Sequence, residues 1–247
     1  MRIKEMNMPL RCLFVFVLAT ITTSPAQSKE GWMDSYNALL KKYVTSSGVK
    51  YAEWKKDAGD LQAIRQVVDG MAKMNVSSLG KKEQLAFYVN AYNAWILHEA
   101  LGKYPTKSVK DTFFRFFLAN RINVAGEQTS FKHLEDDVIR AKFGDPHVHF
   151  ALNCASRSCP PLNREAFTGD ALDGQFETLA KAFINSDRGV RYQQANKTAE
   201  RSAIFKWYKD DFKEGPLAFI NQRRSTPIPK EAKISYQTYD WSLNEAK

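Results

Sequence analysis

Cysteine and histidine are scarce in this chain, whose 247 residues hold three cysteines and four histidines. A small scaffold held by many disulfides is thereby excluded, because such folds use a dense set of bridges in place of a core. Long apolar runs are missing too. The most apolar stretch, Cys12 to Ile21, is about ten residues long, against the roughly 20 that a membrane helix requires, so no transmembrane segment is expected. The chain has no internal repeat, no low-complexity tract, no strong linker and no recognition motif for nucleic acid, which is not an expected partner. Basic residues outnumber acidic ones and give a net charge of +9, yet they never run longer than pairs such as Lys41-Lys42 and Arg223-Arg224. That spread predicts only a weak attraction to anionic surfaces.

What is present begins with Arg2, Lys4 and Arg11, the apolar run, and the small-residue exit Thr22-Thr23-Ser24-Pro25-Ala26. These are the three regions of a secretory signal peptide, with cleavage expected near Ala26 and a periplasmic or secreted product. Cys12 precedes the apolar run and should leave with it, so the mature chain keeps Cys154 and Cys159. Residues 27–247, rich in apolar side chains (44% of the whole chain is hydrophobic and 13% aromatic), suffice for one globular domain with a sizeable core.

Helical spacing places Trp32, Tyr36, Leu39, Leu40 and Tyr43 on one helix, and Leu61, Ile64, Val67, Val68 and Met71 on a second capped by Asp60. A third helix, from about Lys81 to Leu101 with Ser78 as its cap, is apolar on nearly every face and should be buried on all sides. Its polar members Asn90, Asn93 and His98 must then find partners, since an unpaired buried amide costs about 1 to 3 kcal/mol. Ile122-Asn123-Val124 and Thr129-Ser130-Phe131 around Ala125-Gly126-Glu127 read as a hairpin. Ser130 or Thr129 then caps a helix through Arg140, with Asp136 four residues before Arg140. His147 to Asn153 alternates as a strand would, and a further helix is expected from about Asp170 to Ile184. Trp207, Tyr208 and Phe212, among dense apolar neighbours, read as core.

The stretch HVHFALNCASRSCPPL, residues 147–162, concentrates the chemistry. Three readings of it stand side by side. In an exported protein two cysteines five apart can close a disulfide, worth about 2 kcal/mol by loop entropy. His147, His149, Cys154 and Cys159 are also zinc-ligand types, although a lone C-x4-C with both histidines upstream departs from the usual paired knuckles. Third, Cys154 at the end of a strand could be a nucleophile, its thiolate stabilised by backbone N–H groups and Arg157. Its base would be His149, which on a straight strand would lie roughly 16 Å away, so the chain must bend between them. Every histidine precedes both cysteines. A papain-like order is excluded, and a permuted cysteine-hydrolase-like architecture stays open.

The blocks NAYNAWILH, SFKHLEDDVIR, DPHVHFALNCASRSCPPL and FKWYKDDF, in this order, resemble the domain-of-unknown-function 547 family over about residues 36–220. The family comprises exported bacterial proteins and plant proteins with a leucine-zipper segment ahead of the domain. The resemblance implies that Asn90, Tyr92, Asn93, Glu135, Arg140, His149, Cys154 and Cys159 form one cluster. Members often carry Glu-His where this chain has Glu135-Asp136, which leaves His149 as the base.

The reading that results is a helix-rich α+β domain with a small antiparallel sheet carrying His149. The leading expectation is a thiol-dependent hydrolase or acyl transferase of the cell envelope, without a cofactor. In it Cys154 is the nucleophile, His149 the base, Glu135 or Asn93 its orienting partner, and Asn93 or Asn153 a support for the oxyanion. Asn90, Tyr92, Arg140 and Cys159 are supporting residues. A non-enzymatic binding or scaffolding module with a Cys154–Cys159 disulfide is the alternative, ahead of a metal-binding protein. The intact mass of the protein recovered from the cell envelope should correspond to a chain beginning just after Ala26; a mass that includes Met1 to Ala26 would overturn the signal-peptide reading.

Overall fold

A computed structural model describes residues 29–110, 118 and 121–247. The segment expected to be a signal peptide lies outside the described residues, as does the aromatic run 113–117. The fold is helix-rich α+β with small, mostly antiparallel sheets.

Helix α1 (Lys29–Tyr43) and helix α3 (Ala58–Ala72) pack together through the stripes read from their spacing, with Tyr36, Leu40, Val67 and Met71 all buried. Between them lie the two-residue strands β1 (Val44–Thr45) and β2 (Gly48–Val49) and the single turn α2 (Tyr51–Trp54). The cap of α3 is Asp57, whose carboxylate accepts the Asp60 N–H at 3.0 Å. Asp60, expected in that role, instead accepts from the Tyr43 hydroxyl at 2.7 Å. Helix α4 (Lys81–Lys103) follows Gly80, whose N–H is taken by Glu83 at 3.3 Å, so Ser78 is not its cap. As its apolar circumference requires, α4 is buried from Leu85 to Leu101 on successive faces.

The expected hairpin forms from β3 (Ile122–Val124) and β4 (Glu127–Thr129), turning at Ala125 and Gly126, both with positive φ. Ser130 caps the next helix through the His133 N–H at 3.1 Å. That helix changes pitch: α5 (Phe131–His133) widens into a π-helical segment (Leu134–Arg140) and closes as α6 (Ala141–Phe143), ended by Gly144 in the left-handed region. π segments widen the helix locally and are frequent at functional sites.

The strand expected at His147–Asn153 does not form. Val148–Ala151 is a single helical turn, α7, started by Asp145, which accepts the His147 N–H at 2.9 Å. The alternation misled because residues 148–153 are all buried: with neither face in water, polar and apolar positions report nothing about direction. Val148 and Ala151 enter one apolar cluster, built on α1, α3 and α4, and Phe150 enters a second. Helix α8 (Leu172–Ile184) spans the same two clusters, with Phe176 in the first and Phe183 in the second.

The second cluster is closed by β5 (Val190–Gln193), β6 (Thr198–Arg201), α9 (Ile204–Trp207), the 3-10 turn Lys209–Asp211, α10 (Pro216–Asn221) and β7 (Lys233–Tyr236). Strand β6 pairs antiparallel with β5 and parallel with β7. No described strand carries His149, so the sheet expected to hold it is corrected to a helix. After β7 the chain runs back across the molecule. Ser242 accepts the Arg157 N–H at 2.9 Å, Asn244 donates its N–H to Ala155 at 2.9 Å, and its carbonyl accepts from Val49 at 2.9 Å. A Cβ on Gly48, which has φ +145°, would collide with that Asn244 carbonyl, so glycine is required there.

The buried amides of α4 act as ties. Asn90 donates to the Phe167 carbonyl at 2.8 Å and accepts the Phe167 N–H at 2.9 Å, holding an irregular loop to the helix. Asn90→Ala should cost about 1 to 3 kcal/mol for each backbone group it orphans, read as a lower urea midpoint; an unchanged midpoint would show that the loop does not depend on this amide.

Candidate functional site

Four segments meet around a cleft of about 300 Å³: α4, the π segment, the turn from α7 through the two cysteines, and the aromatic residues of α9 and the C-terminal tail. Tyr92, Glu135, His149, Cys154 and Cys159 line it, together with Trp207, Tyr208, Tyr239 and Trp241.

Glu135 projects from the π segment and accepts two phenolic hydrogen bonds, from Tyr208 at 2.7 Å and Tyr92 at 3.1 Å. Burial, and then the neighbouring Glu135, push both phenols well above their ordinary range, so they remain protonated donors. His149 is buried and its ring stacks on Tyr208 with centroids 4.0 Å apart and planes at 22°. Its Nε2 lies 2.6 Å from Asp211 Oδ2. Arg140 grips both oxygens of that carboxylate, at 2.7 and 3.0 Å, and also reaches Asp136. The partner of His149 is therefore Asp211, where Glu135 or Asn93 was expected.

Cys154 and Cys159 are joined as a disulfide. The Tyr239 hydroxyl lies 3.2 Å from Cys159 Sγ and 3.6 Å from Cys154 Sγ, with the Ser156 hydroxyl 3.0 Å from the latter. Burial pushes the Tyr239 phenol up to about 12. The bond leaves no thiolate on either cysteine for a zinc-ligand set of His147, His149, Cys154 and Cys159, and His147 is engaged elsewhere, with Asp145 at 2.6 Å and Arg223 at 2.9 Å. Arg157, expected beside the thiolate, donates instead to the Leu243 and Glu245 carbonyls.

The three asparagines take other places. Asn90 holds Phe167. Asn93 donates to the Ala151 carbonyl and accepts the Asn153 N–H, both at 2.9 Å. Asn153 donates to the Pro160 carbonyl at 2.7 Å and accepts the Ala155 N–H at 2.8 Å. Through these bonds Asn93 and Asn153 position the turn between His149 and Cys154, and neither is among the residues that line the cleft. His98 sits beside Trp95, outside the cleft.

Sequence reading missed Asp211 and the aromatic wall. Trp207, read as core, is 47% exposed, and Tyr208 contributes its hydroxyl to the cleft, whereas Phe212 is core as expected. Asp211 stood in view as an acid inside the aromatic block FKWYKDDF, and Tyr239 and Trp241 as alternating rings near the C-terminus.

Asp211 also has a pH signature. The hydrogen bond with His149, and then Arg140, hold its carboxyl well below the usual carboxylate range. A depressed pKa contributes stability above the unfolded value, about 3.9, and loses it as pH falls below that value. Asp211→Asn should be less stable than the parent at neutral pH in urea unfolding, and the gap should shrink on acidification below about pH 4; a gap independent of pH would refute this role.

Residues 76–184 match the family model described as "Protein of unknown function, DUF547". Comparison with curated proteins gave no match, and comparison with solved structures gave none. The matched segment holds Tyr92, Glu135, His149 and both cysteines, while Tyr208, Asp211, Tyr239 and Trp241 lie beyond it. The segment that supplies the acid, the histidine and the disulfide of the cleft thus matches the DUF547 family model, as the resemblance of its sequence blocks implied.

Proposed function

We propose that the protein is an exported, single-domain envelope protein that binds a small ligand in this cleft, with Cys154 and Cys159 as a fixed wall of the site. The disulfide carries this reading. A sulfur bonded to a second sulfur is not a thiolate, and only the thiolate attacks a carbonyl. The walls around it suit binding, with exposed aromatic faces beside one well-placed carboxylate, in a volume at the lower end of the usual range for ligand pockets.

One observation favours a second reading, the thiol-dependent hydrolase or acyl transferase. His149, held at Nε2 by Asp211, lines the same cleft as Cys154, and the set cysteine, histidine, aspartate is that of a nucleophile, its base and an orienting acid. In that reading an external thiol reduces the disulfide, and the second ring nitrogen of His149 accepts the Cys154 proton. The permuted hydrolase architecture has no support from a matching structure, and His149 on a helical turn departs from it.

Alkylation followed by peptide mass separates the two. Protein isolated without reductant should leave Cys154 and Cys159 unlabelled and weigh less by the two hydrogens lost in the bond. If Cys154 is found free, or labels rapidly well below pH of about 8.5 after mild reduction, the binding reading fails and the hydrolase reading replaces it.

A further inference from the structure

The charges around the cleft are unevenly matched. Asp136 is paired with Lys132 and Arg140. Asp211 is paired with Arg140 and His149. Glu135 has no ion-pair partner among the described residues, and its two oxygens are held only by the hydroxyls of Tyr208 and Tyr92. Such an arrangement fixes the carboxylate in place without a direct ion pair, Lys132 acting on it only through space. The chain as a whole is strongly basic, at +9, yet Lys132 is the one lysine or arginine among the described residues lining this cleft, and it is spent on Asp136.

Another part of the cleft lining is built from rings. Trp207, Tyr239 and Trp241 contact one another, with centroids 4.8 Å apart for Trp207 and Tyr239, 4.5 Å for Tyr239 and Trp241, and 5.9 Å for Trp207 and Trp241. Tyr92 and Tyr208 turn their hydroxyls to the carboxylate, while the Tyr208 ring is already engaged by the His149 imidazole and by the Arg140 guanidinium, 4.8 Å from its centroid. Ring faces carry negative potential and attract cations, and tryptophan faces do so most strongly. A carboxylate without a direct ion pair and a wall of such faces converge on one ligand chemistry.

We propose that the cleft takes an organic ammonium group, seated between Glu135 and the Trp207, Tyr239 and Trp241 rings. This rests on the cleft being a binding site. A neutral sugar would also stack on these rings, but it needs several unspent donors and acceptors around its rim. Here the hydroxyls of Tyr92 and Tyr208 are committed to Glu135, and Asp136 and Asp211 are committed to cations. What remains unspent is charge, and an alkylammonium ion supplies its complement together with apolar methyl or methylene surface.

Trp207 and Trp241 provide the readout. Choline chloride, titrated at constant ionic strength against sodium chloride, should change the tryptophan emission of the full mature protein saturably, while sodium chloride should not. Glu135→Gln should weaken choline binding at least tenfold, and Trp207→Ala, at a half-exposed ring, should weaken it several-fold with the melting temperature preserved. Should Glu135→Gln fail to fold, Trp207→Ala followed by calorimetry carries the test. Absence of saturation by choline in the parent, or equal affinity in the variants, overturns the ammonium inference. If N-acetylglucosamine saturates the cleft while choline does not, this inference fails and the binding reading stands. Cysteine labelling tests that reading separately, so the two can fail apart.

Discussion

Asn153 is the junction on which the geometry of the cleft depends. Its backbone N–H goes to Asn93 of α4, its amide nitrogen to Pro160, and its side-chain oxygen receives Ala155 and Asn244. One buried residue thereby fastens the cysteine turn to the central helix on one side and to the C-terminal tail on the other. The constraint is that a buried amide must be paired, and each of these bonds lies where water cannot substitute. Ala155, held in the left-handed region, completes the turn that brings the disulfide to the cleft edge.

Around that junction the site is assembled by burial and charge acting in opposition. Phenols of Tyr92 and Tyr208 stay protonated because they are buried, and so they can hold Glu135. Arg140 holds Asp211 from one side while His149 meets it from the other, which fixes the imidazole in the stack against Tyr208. The π pitch of Leu134–Arg140 lets one short segment serve both clusters, with Glu135 turned toward the tyrosines and Arg140 toward Asp211. Asp136, which departs from the Glu-His pattern of the resemblance, bridges Lys132 and Arg140.

Much of the fold was legible in the sequence. The apolar stripes of α1, α3 and α8, the all-round burial of α4, and the β3–β4 hairpin follow from period, length and turn residues, because the stripes have a solvent boundary and the apolar run of α4 is longer than a strand. The turn at α7 was not legible, since a fully buried segment has no polar face to betray its period. Nor was the role of the tail: its bonds to Val49, Ala155 and Arg157 join residues up to about two hundred positions apart, and nothing local encodes them. Of the site, the acid, the histidine and the cysteines were visible as chemistry-bearing residues in blocks. Asn93 and Asn153 were visible too, but their work is to place backbone.

The sequence by itself determined the helix-rich class, the lack of a membrane-spanning helix among the described residues and the match of residues 76–184 to a family model, because these rest on composition, period and linear blocks. Only the tertiary structure decided that His149 answers to Asp211, that Glu135 answers to two tyrosines, and that Trp207 lines a cleft instead of a core. Those pairings depend on which polar groups meet when several segments close around a buried asparagine, and that choice is made by packing and by the need to satisfy every buried hydrogen bond at once.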